Sequence, residues 1–180
     1  MTADAIHDRQ ALDRRIRRHL EAWRGRRPSR EELMEAADAV TDLRHANGIP
    51  GLWPDPPLMI TATLDDAFGH GLEVIHRFGR AAGLRLLPLG TLQTAAAVAA
   101  ACRRHRPHLL GLTVLQFDTE ADLIRLRGAI PSATRVVAGG PVFAADPDLA
   151  ARAGIDHVAR DAAAFWEFLL GFDPAADPPA

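Results

Sequence analysis

The feature that most constrains the fold of this chain is a regular alternation of short apolar segments with segments of helical spacing. The apolar segments, which predict strands, occupy residues 58–63, 85–89, 109–114, 135–138 and 156–158. The segments of helical spacing that follow them occupy residues 71–82, 91–104, 119–129, 147–153 and 161–170. Such an alternation predicts a parallel sheet that is covered by helices on both faces.

The strand order and the place of a ligand site follow from this alternation. Right-handed crossovers and five strands favour an α/β fold with a five-stranded parallel sheet in the flavodoxin-like (Rossmann-type) order 2-1-3-4-5. In a sheet of this order the ligand crevice lies outside the carboxyl ends of the first, third and fourth strands. A binding site is therefore expected just after residues 63, 114 and 138.

The first part of the chain, residues 1–47, is highly charged and predicts a hairpin of two amphipathic helices. Ser29 and Glu32 have the spacing of a capping box for the second helix, and Asn47-Gly48 is its stop. The apolar positions of the two helices are Leu12, Ile16, Leu20, Trp23, Leu33, Ala36, Ala37, Val40 and Leu43. Two copies of this hairpin can close into a four-helix bundle, so we expect a homodimer.

The other boundaries come from composition. Prolines and glycines over residues 48–57 predict an extended connector between the hairpin and an α/β domain at residues 58–172. Residues 173–180 are rich in Pro, Ala and Asp and are predicted to be a disordered tail. A chain of 180 residues is long enough for one such domain with a small helical appendage.

The charges of the hairpin allow two interpretations. Seven arginines of the first helix and the turn after it lie largely off the apolar face: Arg14, Arg15, Arg17, Arg18, Arg24, Arg26 and Arg27. They can form a contact to nucleic acid or to an acidic partner. They can also form a solvated face that pairs with the second helix, and we favour this interpretation because that helix is acidic. Its carboxylates are Glu31, Glu32, Glu35, Asp38 and Asp42.

Several classes of protein are excluded. The chain has no run of about 18 apolar residues and no signal peptide, so we expect a cytoplasmic protein without membrane contact. The single Cys102 excludes an internal disulfide, and no Cys/His cluster has zinc spacing. The chain also lacks a nucleophile triad and a P-loop, so no chemistry independent of a cofactor is predicted.

Three segments at the predicted strand ends carry a more specific pattern. They are Asp66-Ala67-Phe68-Gly69-His70-Gly71, Thr113-Val114-Leu115 and Gly139-Gly140. This set resembles the signature of the cobalamin (vitamin B12)-binding domain family, which is Asp-x-His-x-x-Gly, Ser-x-Leu and Gly-Gly. The resemblance covers about residues 58–170 and implies cobalamin as the cofactor. The implied cofactor contacts are Asp66, Phe68, Gly69, His70, Gly71, Thr113, Leu115, Gly139 and Gly140.

The residue types of these segments suit such a ligand. A planar ring with a long nucleotide tail needs a slot, and Gly71, Gly139 and Gly140 would leave room for it. Thr113 would offer a hydroxyl to the slot, and Leu115 an apolar wall.

One position departs from the family's pattern. Phe68 stands where the family carries the His that ligates cobalt, and a phenyl ring cannot ligate a metal. His70 is a candidate axial ligand in its place, and His76, on the following helix, is a weaker one. Asp66, without its His partner, can cap that helix instead. Trp53 is expected either to stack on the corrin ring or to plug the junction between hairpin and sheet.

Other ligands of flavodoxin-like sheets fit less well. A phosphorylated receiver domain needs an Asp at the end of the third strand and a later Lys, and this chain has neither. A flavin or nucleotide site would place a phosphate beside Asp65 and Asp66, which would repel it.

Three functions remain open. We favour a stand-alone cobalamin-binding protein, not catalytic by itself, that senses the cofactor or presents it to a methyltransferase, a reductase or a regulator. The alternatives are the corrinoid methyl-carrier subunit of a methyltransferase system and a degenerate scaffold that binds no cofactor. The missing cobalt ligand at Phe68 favours the first over the second.

Overall fold

The computed structural model describes residues 3–65 and 70–176. The strands are β1 Leu58–Thr63, β2 Arg85–Gly90, β3 Leu109–Thr113, β4 Arg135–Gly139 and β5 His157–Val158. The helices are α1 Ala3–Trp23, α2 Arg30–Ala46, α3 His70–Ala82, α4 Ala95–His105, α5 Glu120–Ala129, α6 Val142–Ala145, α7 Leu149–Arg152 and α8 Ala162–Gly171. A turn of 3₁₀ helix, Phe117–Thr119, precedes α5. In the part of the chain described here, no helix has the length and apolar character needed to cross a membrane.

The five strands form one parallel sheet in the order β2-β1-β3-β4-β5, which confirms the predicted flavodoxin-like fold. The three central strands are almost entirely buried, as expected for parallel strands that are covered on both faces. β2 lies at one edge of the sheet, where Pro88 is tolerated because an edge strand needs fewer ladder hydrogen bonds.

The side chains of the central strands alternate between two packed faces. Met59 and Val137 pack toward α3 and α8. Ile60 and Val136 pack toward α4 and α5. Cys102 of α4 is buried on this second face, and burial raises the pKa of its thiol to about 11. Cys102 is thus a small apolar core residue.

The hairpin of α1 and α2 forms a third layer, in which α2 packs on α3 and α1 packs on α8. Leu12, Ile16 and Val40 have no exposed surface in this packing. Trp23 at the end of α1 stacks on Trp166 of α8, with ring centroids 6.0 Å apart. The chain itself therefore covers the apolar face of the hairpin. This is contrary to the expectation that the hairpin exposes more apolar surface than the sheet domain covers, and the homodimer itself stays a prediction.

The predicted capping box of α2 is confirmed. Glu32 N donates to Ser29 Oγ over 3.1 Å, and Ser29 N donates to Glu32 Oε2 over 2.7 Å. Glu32 also pairs with Arg26, whereas Asp38 of α2 pairs with Arg77 of α3. The acidic residues of α2 therefore balance the arginines before it only in part. These exposed ion pairs contribute little to stability.

The connector, residues 48–57, runs along the edge of the sheet where the strands begin, which we call the amino edge. Trp53 is only 4% exposed, and its Nε1 donates to the carbonyl of Phe172, just after α8, over 2.8 Å. Leu52 N donates to the carbonyl of Ala82 at the end of α3 over 2.9 Å. The connector is thus part of the core that joins the hairpin to the sheet.

Candidate functional site

The predicted site lies where the strands end, which we call the carboxyl edge. Thr63 of β1, Thr113 of β3 and Gly139 of β4 pair in register and form one row across this edge. Neighbouring strands lie about 4.8 Å apart, so this row spans about 10 Å. The structure thus brings the ends of the three motif strands together. Thr63 was not among the predicted site residues, although it is the last residue of the first predicted strand.

The row faces α3 and α8. Thr61 lies two residues before Thr63 on the same face of β1, and its Oγ1 is 2.7 Å from Nε2 of His76 in α3. Burial, followed by the charge of Arg80, lowers the pKa of His76 and favours its neutral form. His76 is therefore engaged between α3 and β1, which argues against it as a replacement for the missing cobalt ligand.

The two glycines at the end of β4, Gly139 as its last residue and Gly140 just after it, pack against neighbouring backbone. A Cβ on Gly140, whose φ is +135°, would lie 1.9 Å from the carbonyl oxygen of Val114. A Cβ on Gly139 would lie 2.8 Å from the carbonyl oxygen of Ala159. The freed volume is therefore filled by the loops after β3 and β5, which corrects the interpretation that these glycines leave room for the ligand itself. They let the loops after β3 and β5 approach the end of β4 closely.

Asp65, two residues after β1, ties the first motif segment to the second. Its side chain is buried, with 3% of the residue exposed. Oδ2 accepts hydrogen bonds from Leu115 N over 2.6 Å and from Gln116 N over 3.3 Å. Oδ1 is buried and has no partner among the described residues. From the sequence, Asp65 was expected only to repel a phosphate, and its contact with the segment after β3 was not predicted.

The loop after β2 also reaches this point. Leu92 N donates to the carbonyl of Asp65 over 3.2 Å, and Gln93 N donates to the carbonyl of Thr63 over 2.9 Å. Leu92 has a left-handed φ of +54°, and 65% of it is exposed. Leu115 on the other side of Asp65 is 37% exposed. A buried carboxyl group thus lies between two exposed leucines.

An arginine braces the segments that follow β3 and β4. Arg152 of α7 pairs with Glu120, the first residue of α5, over 2.7 Å and with Asp146, just after α6, over 2.6 Å. The Arg152 guanidinium lowers the pKa of both carboxyl groups. The two segments beside the crevice are thereby linked to each other.

Several predicted contacts lie outside the described residues. They are Asp66, Phe68 and Gly69, and the side chain of His70 lies outside them as well, although the backbone of His70 begins α3. Gly71 is in the first turn of α3, and a Cβ built on it would meet open space. Trp53 is not brought to the crevice, because it lies at the amino edge against Phe172. It plugs the junction between hairpin and sheet, the second of its two predicted roles.

A large groove lies between the hairpin and α8. It has a volume of about 1030 Å³ and runs from the turn after α1 along α8 to Leu170 and Gly171. Arg160 and Asp161, which follow Ala159, form part of its wall. Its lining is basic, with five arginines, Arg17, Arg24, Arg26, Arg27 and Arg160, against three carboxylates, Glu21, Asp161 and Glu167. A smaller groove of about 490 Å³ lies beside Trp53, at the amino edge.

Fold and site together define a class of protein. A parallel sheet of this order, with its glycines and buried polar groups gathered beyond β1, β3 and β4, is a flavodoxin-like ligand-binding domain. The family model of the B12 binding domain matches residues 58–165. The chain belongs to this family, and its cofactor is cobalamin. The comparison with curated proteins finds no match.

Three solved structures are similar in fold to this chain. A novel cobalamin-binding protein from Desulfitobacterium hafniense DCB-2 aligns with a TM-score of 0.64 and 16% identity, over 78% of this chain and 69% of that one. The monomethylamine corrinoid protein of Methanosarcina barkeri aligns with a TM-score of 0.56 and 16% identity, over 78% and 70%. A chain of the methanol:cobalamin methyltransferase complex MtaBC from Methanosarcina barkeri aligns with a TM-score of 0.54 and 19% identity, over 81% and 59%.

The described residues of the crevice fit a cobalamin. Cobalamin is a large amphipathic molecule, with methyl and carboxamide groups around its ring. The carboxyl edge offers matching surfaces, because Leu92 and Leu115 are exposed beside Asp65 Oδ1, which lacks a donor among the described residues. The loops after β3 and β5 pack so closely on Gly139 and Gly140 that no side chain would fit between them.

Proposed function

We propose that this chain binds cobalamin in a crevice formed by residues 65–71, 113–117 and 139–143, and that it senses the cofactor or presents it to a protein partner. The observation that carries this proposal is the row of Thr63, Thr113 and Gly139, which joins the three motif strands in a chain of the B12 binding domain family. Bound cobalamin supplies cobalt-centred redox and methyl-transfer chemistry. The chain is not catalytic by itself and acts with a methyltransferase, a reductase or a regulator.

The residues of the crevice have different parts in this proposal. Thr113 offers a hydroxyl and Leu115 an apolar contact to the cofactor. The open space beside Gly71 leaves room for the planar ring at the beginning of α3. Gly139 and Gly140 act through the backbone, since they set how closely the neighbouring loops approach.

The lower face of the cobalt distinguishes this chain from members that carry the motif His. Phe68 has no lone pair to donate, and His76 is held by Thr61 inside the α3–β1 interface. His70 is then the histidine of the motif loop that is left to offer a nitrogen to cobalt. In this proposal it does not do so, and the cofactor would be held without a protein nitrogen on cobalt. A cobalt centre with fewer donors is easier to reduce, which suits a protein that reports or hands over the cofactor.

The test uses cobinamide, the corrinoid that lacks the nucleotide and its base, so that any nitrogen on cobalt must come from the protein. Wild-type chain loaded with cobinamide and reduced to Co(II) should show no nitrogen hyperfine splitting in its electron paramagnetic resonance spectrum. Phe68→His should gain the splitting, because Asp66 can orient the new imidazole. Phe68→Leu, the matched control, should resemble wild type. A wild-type chain that retains neither cobinamide nor cobalamin on gel filtration would overturn the proposal and leave a degenerate scaffold.

The second candidate is the methyl-carrier subunit of a corrinoid methyltransferase system. It is favoured by the similar fold of the monomethylamine corrinoid protein and of the MtaBC chain. The same spectra distinguish it. Nitrogen splitting in the wild-type chain that disappears in His70→Ala would identify His70 as the axial ligand and place the methyl-carrier role first.

A further inference from the structure

We infer that Asp65 is an additional contact for the cofactor, in which Oδ1 accepts a hydrogen bond from an N–H or O–H group of the corrinoid. Asp65 lies outside the three motif segments by which the family is recognised. This inference rests on the proposed function, and it names the group of the cofactor, an N–H or O–H donor, that Asp65 would bind.

The two oxygens of the Asp65 carboxyl group are used unequally. Oδ2 accepts from two backbone N–H groups, those of Leu115 and Gln116. Oδ1 has no donor among the described residues, although it is buried. A buried acceptor without a donor is costly, and such groups are rare in folded proteins. Oδ1 is therefore an acceptor that a ligand donor can satisfy.

The position of Asp65 makes a ligand the natural source of that donor. Its backbone carbonyl accepts from Thr63 Oγ1 over 2.9 Å and from Leu92 N over 3.2 Å. Asp65 thus links the loops after β1, β2 and β3 at the carboxyl edge. The leucines on its two sides are exposed, so apolar parts of a ligand can pack beside the unused oxygen.

A single carboxyl oxygen without a partner, such as Asp65 Oδ1, favours an N–H or O–H donor over a metal ion. A lone carboxyl oxygen is a poor cation site, because metal ions need several protein ligands, and no group of three His, Cys, Asp or Glu in the described ranges could hold one. An N–H or O–H donor needs one acceptor only. Corrinoids carry such donors in the carboxamides of the ring and in the amide and hydroxyl groups of the nucleotide tail.

The decisive variant is Asp65→Asn. Leu115 N and Gln116 N require an acceptor, so the amide oxygen of the introduced side chain must take the place of Oδ2, and its NH₂ group must take the place of Oδ1. The loop tie is kept, while the acceptor for the ligand becomes a donor. We expect the dissociation constant for cobalamin to rise about 10-fold, as for a mismatched buried hydrogen bond, with an unchanged circular dichroism spectrum.

The matched control is Asp118→Asn, which removes the same charge from an exposed position in the turn before α5. It should leave the affinity at the wild-type value. Measurements with cobalamin and with cobinamide distinguish the two sources of the donor. A loss for both ligands identifies a group that cobinamide retains, which is a ring carboxamide or the aminopropanol linker. A loss for cobalamin alone identifies the nucleotide that cobinamide lacks.

Two results separate this inference from the proposed function. Unchanged affinity of Asp65→Asn for both corrinoids, with binding by wild type, would overturn the inference and leave the function standing. Absence of binding by wild type would overturn the function. Should Asp65→Asn not fold, the infrared carboxylate bands of wild type with ¹³C-labelled aspartate provide the readout. A band that shifts on addition of cobinamide or cobalamin supports the contact, and bands that do not shift for either contradict it.

Discussion

The amino edge and the carboxyl edge are formed by the same strands, but the chain covers the amino edge and leaves side chains exposed at the carboxyl edge. At the amino edge, the connector covers the strand starts, and Trp53 is buried with its Nε1 bonded to the carbonyl of Phe172. At the carboxyl edge, Leu92 is exposed in a left-handed conformation, and Asp65 keeps a buried oxygen without a donor among the described residues. Trp53 at the amino edge is therefore packed and hydrogen-bonded, whereas the carboxyl edge has an exposed apolar side chain and an acceptor that a ligand could use.

This difference suggests that stability and binding are divided between the edges. Changes at the amino edge should alter the free energy of unfolding and leave cofactor affinity alone. Changes at the carboxyl edge should alter affinity, and some of them should even stabilise the fold. Three substitutions test this division, from the largest expected effect on stability to the smallest.

Trp53→Ala should have the largest effect. Removing a buried Trp lowers the free energy of unfolding by about 3–5 kcal/mol, since it leaves a cavity as well as lost contacts. Thermal unfolding should therefore occur at least about 6 °C lower, at 2–4 °C per kcal/mol for a chain of this size. Trp53→Phe keeps a six-membered aromatic ring but removes the pyrrole part of the indole with its bond to the Phe172 carbonyl, so its loss should be smaller, about 1–3 kcal/mol. If Trp53→Phe folds but binds cobalamin more weakly than wild type, then stability and binding are not divided between the two edges.

Gly140→Ala should affect both properties. The added Cβ cannot fit 1.9 Å from the carbonyl of Val114, and φ of +135° is strained for Ala, so the free energy of unfolding should fall by about 2–3 kcal/mol. The loops must separate, and cobalamin retention on gel filtration should be lost. Gly128→Ala in α5, where the Cβ meets open space, is the matched control and should be neutral or slightly stabilising. Full retention by Gly140→Ala would show that the loop contact does not shape the crevice.

Leu92→Asn should have the smallest effect on stability and the opposite sign. Asn tolerates the left-handed conformation that Leu92 adopts, so relief of strain should raise the free energy of unfolding by about 1 kcal/mol. The affinity for cobalamin should fall, because an apolar contact beside Asp65 is removed. Ile124→Asn removes another exposed apolar side chain, on α5, and should leave the affinity unchanged. Calorimetry and dialysis on the two variants provide the comparison, and a destabilised Leu92→Asn would contradict the strain argument.

The fold could be predicted because its determinants are local. Strands covered on both faces appear as continuous apolar runs, and Ser29 with Glu32 defines the beginning of α2 through two hydrogen bonds within one turn. The beginning of α4 was predicted too early. Thr94 caps it, and Leu92 before it takes a left-handed turn that nothing in its residue type indicates.

The site could be predicted only where it follows strand ends. The row of Thr113 and Gly139 was expected, whereas the role of Asp65 depends on a contact across 50 residues of sequence. The position of Trp53 at the amino edge could have been predicted, because the chain enters β1 from that edge. It lies only five residues before the beginning of β1, so it belongs near the amino edge, since an extended chain advances at most about 3.6 Å per residue.

The central claim is that cobalamin binds at the carboxyl edge, and hydrogen exchange with and without cobalamin tests it most directly. The proposal predicts slower amide exchange on binding in residues 65–71, 113–117 and 139–143, and no change in the connector at residues 48–57. Leu115 N and Val114 N, which already donate hydrogen bonds at this edge, should be among the protected amides. Protection confined to the connector and the end of α8, or no protection at saturating cobalamin, would contradict it.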